Sequence, residues 1–412
     1  MVFIHGGNFV HESGGTILYD GEAFVQKTGV ILVNINYRLG ALGFLFTGTG
    51  PDDIRGNYGI KDQRQALIWV NQNIANFGGD HSKVTIFGQS AGAQSIAIHL
   101  MNAKSDAYFH QAIIESAPLD IPYKKTIDDL FLGNTIADLL NCSSHDVQCL
   151  RSKSADQIAK AETEARSKIT SLKVLEFFEP LGPRVDGDEV LMEPMQSIRQ
   201  RQFRDIPVII GSVSEETRIY IYLTWKSPIS TALFETVLFA VYPSHIEEIL
   251  KEYPVQNKTD VRDHLAQLAT DFIFTCTVRN ASQSFSQKNK SPVWLYSFDH
   301  AFSFLGWEPF SFCEHHVCHG SELPYVFYTA PLGNFRYTAD EEKLSSQLMS
   351  YWANFAFTGN PNTGPHPVEL EWPSYDASQA WPLMHFQTPS SSVINDYRSD
   401  YCTFWDSIGY KA

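Results

Sequence analysis

The five residues Gly88-Gln89-Ser90-Ala91-Gly92 fit the pattern G-x-S-x-G. A serine in that pattern is a nucleophile when a strand runs into the turn and a helix runs out of it. Both signals are present. Val84 to Phe87 is a short apolar run, and Ala91 to Met101 reads as a helix. The turn is tight, so its flanking residues must be small, and Gly88, Ala91 and Gly92 comply. A serine held there lifts its Oγ above the carboxyl end of the strand. The helix N-terminus behind it favours negative charge as it develops. A serine that merely caps a helix has the same local setting, so the reading needs partners elsewhere in the chain.

His5-Gly6-Gly7-Asn8-Phe9 follows the apolar run Met1 to Ile4. Glycines there let backbone N–H groups face a cavity. With the N–H of Ala91, those of Gly7 and Asn8 would make an oxyanion hole for acyl transfer. In hydrolases with this elbow the acid and then the histidine follow the serine along the chain. Spacing alone does not choose among 14 histidines. The acid belongs on a loop beyond a strand, and Ser214-Glu215-Glu216 follows the strand-like run Pro207 to Gly211. A rival chemistry lies in Cys313-Glu314-His315-His316-Val317-Cys318-His319, where His315 and His319 share a helical face as zinc ligands do. The ligand spacings of known zinc motifs differ from this one.

These groups need a scaffold, and the pattern of the chain supplies one. Strand-like runs at 30–37, 84–87, 111–115, 207–211 and 293–298 alternate with helical stretches at 61–76, 91–101, 126–140, 228–252, 259–287 and 338–357. That alternation predicts an α/β fold, a mostly parallel sheet with helices on both faces. The polar stretch 151–174 reads as a surface excursion. The 412 residues are 43 % hydrophobic and 19 % charged, enough for a large core, and exclude a disordered chain. A net charge of -15 argues against nucleic acid or an anionic membrane as the main partner. No apolar run reaches the ~18 residues of a membrane helix. Residues 1–4 read as an inner strand that starts at full stride, with no signal peptide before it. The expectation is that strands pairing with it belong upstream of residue 1.

Several blocks beyond the elbow resemble the type-B carboxylesterases, the family that includes cholinesterases, juvenile hormone esterases and neuroligin-like proteins. They are Phe77-Gly78-Gly79-Asp80 through Gly92, Asn36 to Leu45, Gly56-Asn57-Tyr58-Gly59, Val185-Asp186-Gly187, His319-Gly320-Ser321-Glu322-Leu323-Pro324 and Tyr351-Trp352-Ala353-Asn354-Phe355. The likeness runs from 1 to 412 and lacks the family's opening segment. It implies one α/β-hydrolase domain, incomplete at its N-terminus. It also implies a Ser90, Glu216, His319 triad that works without metal or cofactor on a small-molecule ester. The family's Gly-x4-Glu-Gly pattern, counted from Gly211, selects Glu216. Thr217 replaces the final glycine, which leaves Glu215 as a lesser candidate.

The same resemblance pairs Cys142 with Cys149 and Cys276 with Cys402, leaving Cys313 with Cys318. It matches Arg38 with Asp80 and Asp271 with Arg398 as internal salt bridges. Two departures bear on substrate. Asn8 stands where many members have a third glycine, and Gln89 stands where cholinesterases carry Glu. A neutral amide does not attract a cationic substrate, so choline esters are not expected. Six cysteines and sequons at Asn141, Asn257, Asn280 and Asn289 point to a secreted glycoprotein. The alternative to an esterase is a non-catalytic adhesion module on the same fold. Adhesion members usually lose a triad residue, and here each has a candidate.

Overall fold

A computed structural model describes residues 1–123, 126–168, 179–255, 258–288 and 290–410. Their strands form one eight-stranded sheet. In chain order these are β1 (Val2–Ile4), β2 (Val33–Asn34), β3 (Thr85–Gln89), β4 (Gln111–Glu115), β5 (Val208–Val213), β6 (Val293–Phe298), β7 (Pro382–Phe386) and β8 (Ser392–Asn395). The spatial order is β2-β1-β3-β4-β5-β6-β7-β8. Every pairing is parallel except β7 with β8.

Parallel strands covered on both faces are apolar at successive positions. In β4, Ala112 and Ile114 join one core cluster and Ile113 joins the other. Val208 and Ile210 of β5 likewise face away from Ile209. Alternate residues thus feed two helical layers. A third apolar cluster, around Phe234, Leu265, Phe272 and Trp405, lies among the helices Arg218–Thr224, Thr231–Val241, Arg262–Thr270 and Ser399–Ile408.

Several sequence expectations change here. The strand 1–4 has both neighbours within the chain, β2 and β3, and the sheet edge is β2. The helical stretch 228–252 is two helices, Thr231–Val241 and Ile246–Glu252, because Pro243 has no N–H to continue the first. The stretch 259–287 is interrupted by a π turn at Asp271–Thr275. Strands β7 and β8 were not expected. The described part of the polar excursion, 151–168, is not loose surface. Helix Ala155–Ser167 buries Ala161 and Ala165, and its Glu162 accepts the Ala41 N–H at 2.9 Å. Residues 169–174 of that excursion lie outside the described residues, as do Asn257 and Asn289. Of the other two sequons, Asn141 is exposed and Asn280 donates to Asp406 at 2.8 Å. Among the described residues no helix is long and apolar enough to cross a membrane.

Cys142–Cys149 and Cys276–Cys402 are disulfides, as the resemblance implied, and the remaining pair Cys313–Cys318 is bonded too. Arg398 pairs with Asp271 through two N–H donors. Arg38 does not pair with Asp80. It grips Asp62, with Nε at 2.7 Å and the second nitrogen at 2.8 Å. Asp80 instead accepts from the N–H and hydroxyl of Ser82 two residues on, a local turn bond.

Asp271 is 1 % exposed, and burial outweighs its hydrogen bonds to hold its carboxyl above the usual range. Arg398→Met should therefore strand a buried charge and lower stability by about 3–5 kcal/mol. Asp271→Asn added to that variant should recover part of the loss, measured as urea midpoints.

Candidate active site

Ser90 sits between β3 and the helix Ala91–Met101, with φ 59° and ψ −124°. Its N–H donates to the Glu115 carbonyl on β4 at 2.9 Å, and its carbonyl accepts from Gln94 at 2.9 Å. The small residues of the elbow have a steric cause. A Cβ on Gly92 would stand 1.9 Å from the carbonyl oxygen of Ile4, so only glycine lets the helix lie against β1.

The end of β1 turns sharply at Gly7 (φ 93°) and Asn8 (φ 53°). A Cβ at Gly7 would meet the His11 carbonyl oxygen at 2.2 Å. The turn closes when the Gly7 carbonyl accepts from Val10 at 2.9 Å and from His11 at 3.0 Å. Among the described residues, no backbone carbonyl takes the N–H of Gly7, Asn8 or Ala91. His5 stacks on Tyr37 at 4.6 Å, and Tyr37 donates to the His5 carbonyl at 2.9 Å, so the loop is anchored from beneath.

Glu216 and Glu215 follow β5 and diverge. The Glu216 side chain is fully buried, meets Nδ1 of His319 and accepts the Val213 N–H at 2.9 Å. Glu215 bonds instead to His316 Nδ1 at 2.9 Å and to the Val317 N–H at 2.8 Å. The pattern count therefore names the glutamate that reaches the histidine. Cys313 and Cys318 are bonded to each other, so neither offers a thiolate to a metal.

One contact differs from expectation. Nε2 of His319 is 3.0 Å from the amide nitrogen of Gln89, the residue before the serine. The Ser90 hydroxyl interacts with that of Tyr220. Tyr220 and Phe274 also flank the imidazole, with ring centroids 5.5 and 5.3 Å away. Sequence reasoning missed Tyr220 and Phe274. Tyr220 could have been suspected from its place one helical turn after Glu216. Phe274 carries no signal, because a π turn sets its direction. A pocket of about 20 Å³ opens on Ser90, walled by Asn8, Pro118, Ile121, Tyr220, Phe274 and the buried Glu179.

A model of the carboxylesterase family matches residues 1–405. The chain is 38 % identical over 426 residues to the Crystal protein of Dictyostelium discoideum, covering all of this chain and 74 % of that one. It is 37 % identical over 380 residues to the cAMP-regulated D2 protein of the same organism, covering 92 % and 69 %. It is 32 % identical over 429 residues to the acetylcholinesterase of Bungarus fasciatus, covering 98 % and 68 %.

Two further buried carboxyls lie behind the pair. Burial pushes Glu115 up to about 8, although Trp352 Nε1 donates to it at 2.7 Å. Burial, with Glu216 and Glu115 nearby, holds Glu322 well above the usual range. Both environments favour the neutral acid. A carboxyl raised in the folded state binds a proton that the unfolded chain has released. Its stabilisation is complete below about pH 4 and is lost as pH rises through the folded value. Stability should fall between pH 6 and 8, with Glu115 contributing at most about 1.4 kcal/mol per pH unit. Glu115→Gln should flatten that fall in urea titrations at the two pH values.

Proposed function

The chain belongs to the carboxylesterase family, and from that premise we propose that it hydrolyses carboxylic esters through an acyl-enzyme on Ser90. The supporting observation is the buried Glu216–His319 pair whose Nε2 meets Gln89, the residue before a serine on a strand-to-helix elbow. Its Nδ1 hydrogen goes to Glu216, so the neutral imidazole carries its lone pair on Nε2. Substrate entry moves that lone pair from the Gln89 amide to the Ser90 hydroxyl. Nε2 takes the proton as Oγ attacks the carbonyl carbon, and Glu216 stabilises the imidazolium. The N–H groups of Gly7, Asn8 and Ala91 receive the oxyanion. Imidazolium then protonates the departing alcohol, and water, activated by the same nitrogen, releases the acid. Every proton in the cycle moves through His319, and the roles belong to one α/β-hydrolase domain.

The names of the two Dictyostelium relatives state no reaction. A non-catalytic role on this fold is therefore the alternative, and one measurement separates the two. A fluorophosphonate probe should label Ser90, which a binding module would leave unmodified. The three disulfides suit an oxidising compartment and with it the extracellular setting.

Ser90→Ala should lower p-nitrophenyl acetate turnover roughly 10⁴-fold or more while melting within a few degrees of the parent. Turnover that survives the substitution would remove the assignment. Glu216→Gln should retain labelling at a reduced rate, because the imidazole loses the carboxylate that stabilises its charge.

A further inference from the structure

The proposed mechanism leaves one side chain of the Ser90 pocket without a role. Glu179 is 7 % exposed and lines that pocket. Among the described residues that line the space it is the one acid, and none is a lysine, arginine or histidine. A carboxyl taken out of water is costly unless it is paired and hydrogen-bonded. Positive charge brought into this pocket would therefore come with a ligand.

Gln94 shows how donors and acceptors are shared out around Glu179. Its amide nitrogen donates to the Glu179 carboxyl at 3.3 Å and to the Pro118 carbonyl at 3.2 Å. A carbonyl can only accept, which fixes the nitrogen on that side and spends both amide hydrogens. The amide oxygen, Gln94 Oε1, is buried and has no hydrogen-bond partner among the described residues. The grouping of carboxyl, carbonyl and amide oxygen is thus richer in acceptors than in donors. It is also fixed relative to the nucleophile, because the Gln94 N–H donates to the Ser90 carbonyl at 2.9 Å.

Glu179 and Ser90 share one neighbourhood. Burial, with Glu216 and Glu179 nearby, holds the Tyr220 phenol well above its usual range, and the same hydroxyl interacts with that of Ser90. The pocket volume of about 20 Å³ limits what enters. A water needs about 10–15 Å³ of such space, so a primary ammonium group fits and a trimethylammonium group does not. The net charge of -15 draws cations toward the protein over a longer range.

We propose that Glu179 determines specificity by receiving a primary ammonium group of the substrate. The preferred substrates are then esters of short amino acids or of amino alcohols, with the charged nitrogen a few bonds from the ester carbonyl. Such a nitrogen supplies both the donors and the charge that this side of the pocket lacks. The inference rests on the hydrolase reading and names the substrate class of that same site.

The test compares esters that differ only in a methyl against an ammonium group. Methyl 3-aminopropanoate and methyl butanoate place the difference on the acyl side. The pair 2-aminoethyl acetate and propyl acetate places it on the alcohol side. Both amines carry their proton at about pH 6.5. The protein should favour the amino member of at least one pair roughly tenfold or more in kcat/KM. Glu179→Gln, which keeps the shape and removes the charge, should abolish that preference, and Glu179→Asp should keep most of it. Damage to the pocket alone would slow both members of a pair alike, so the ratio reports the carboxylate. In the unsubstituted protein, ethylammonium chloride should compete with p-nitrophenyl acetate where an equal concentration of sodium chloride does not. That measurement stands whether or not a variant folds. A preference below tenfold in both pairs, one that Glu179→Gln leaves in place, or no competition by ethylammonium would overturn the role of Glu179 and leave the hydrolase reading intact. No turnover of any ester, together with no fluorophosphonate labelling, would remove that reading and this inference with it.

Discussion

The backbone at Ser90 is the constraint on which the rest depends. Its φ of 59° with ψ of −124° lies outside the helical and strand basins. A non-glycine residue held there costs on the order of 1–3 kcal/mol and persists only where the surroundings over-determine it. Three contacts do so. The Glu115 carbonyl on β4 accepts from the Ser90 N–H, the Gln94 N–H in the next helix donates to the Ser90 carbonyl, and Gly92 lets that helix press on β1. The strands on either side of β3 are thus tied to the elbow directly, and the loop His5 to Phe9 hangs from one of them. A shift of β1 would reopen the elbow and the candidate oxyanion hole together.

Charge placement follows from the same geometry. The strands end near Ser90, so buried carboxyls gather at their carboxyl ends: Glu115 on β4, Glu216 beyond β5 and Glu322 after His319. Three such groups cannot all be ionised in so apolar an environment. The partners available to each differ. Glu216 has the imidazole and the Val213 N–H. Glu115 has one indole donor, and burial dominates its titration. Burial therefore favours the proton on Glu115 and Glu322, away from the side chain that faces the histidine.

What could be read in the sequence was whatever depends on short-range rules. The elbow, the loop after β1 and the strand–helix alternation were legible because each rests on residue size or apolar spacing within a few positions. The choice of Glu216 over Glu215 was not legible from chemistry. Adjacent glutamates differ only in the direction each leaves the chain, and a family pattern supplied it. Arg38 was misassigned because the family likeness of the two blocks, not contact geometry, paired it with Asp80. Fold geometry alone brings Asp62 to 2.7 Å. The short strands β7 and β8 were missed because they follow a long irregular stretch. The π turn was missed because an extra residue in one turn leaves no compositional trace.

The contact between Gln89 and His319 shows how one neutral side chain sets the resting state. Glu216 can only accept at Nδ1, so the uncharged ring has its hydrogen there and its lone pair on Nε2. Gln89 must then present its amide N–H to Nε2, and the 3.0 Å contact is a donated bond. The amide thus matches the tautomer that the proposed general base requires, while occupying the lone pair that Ser90 would need in the proposed mechanism. A glutamate at this position would ask for the opposite, a protonated Nε2, and would favour the imidazolium. The neutral residue next to Ser90 therefore does two things at once. It places no negative charge beside Ser90, and its N–H matches the unprotonated Nε2 that the proposed general base requires.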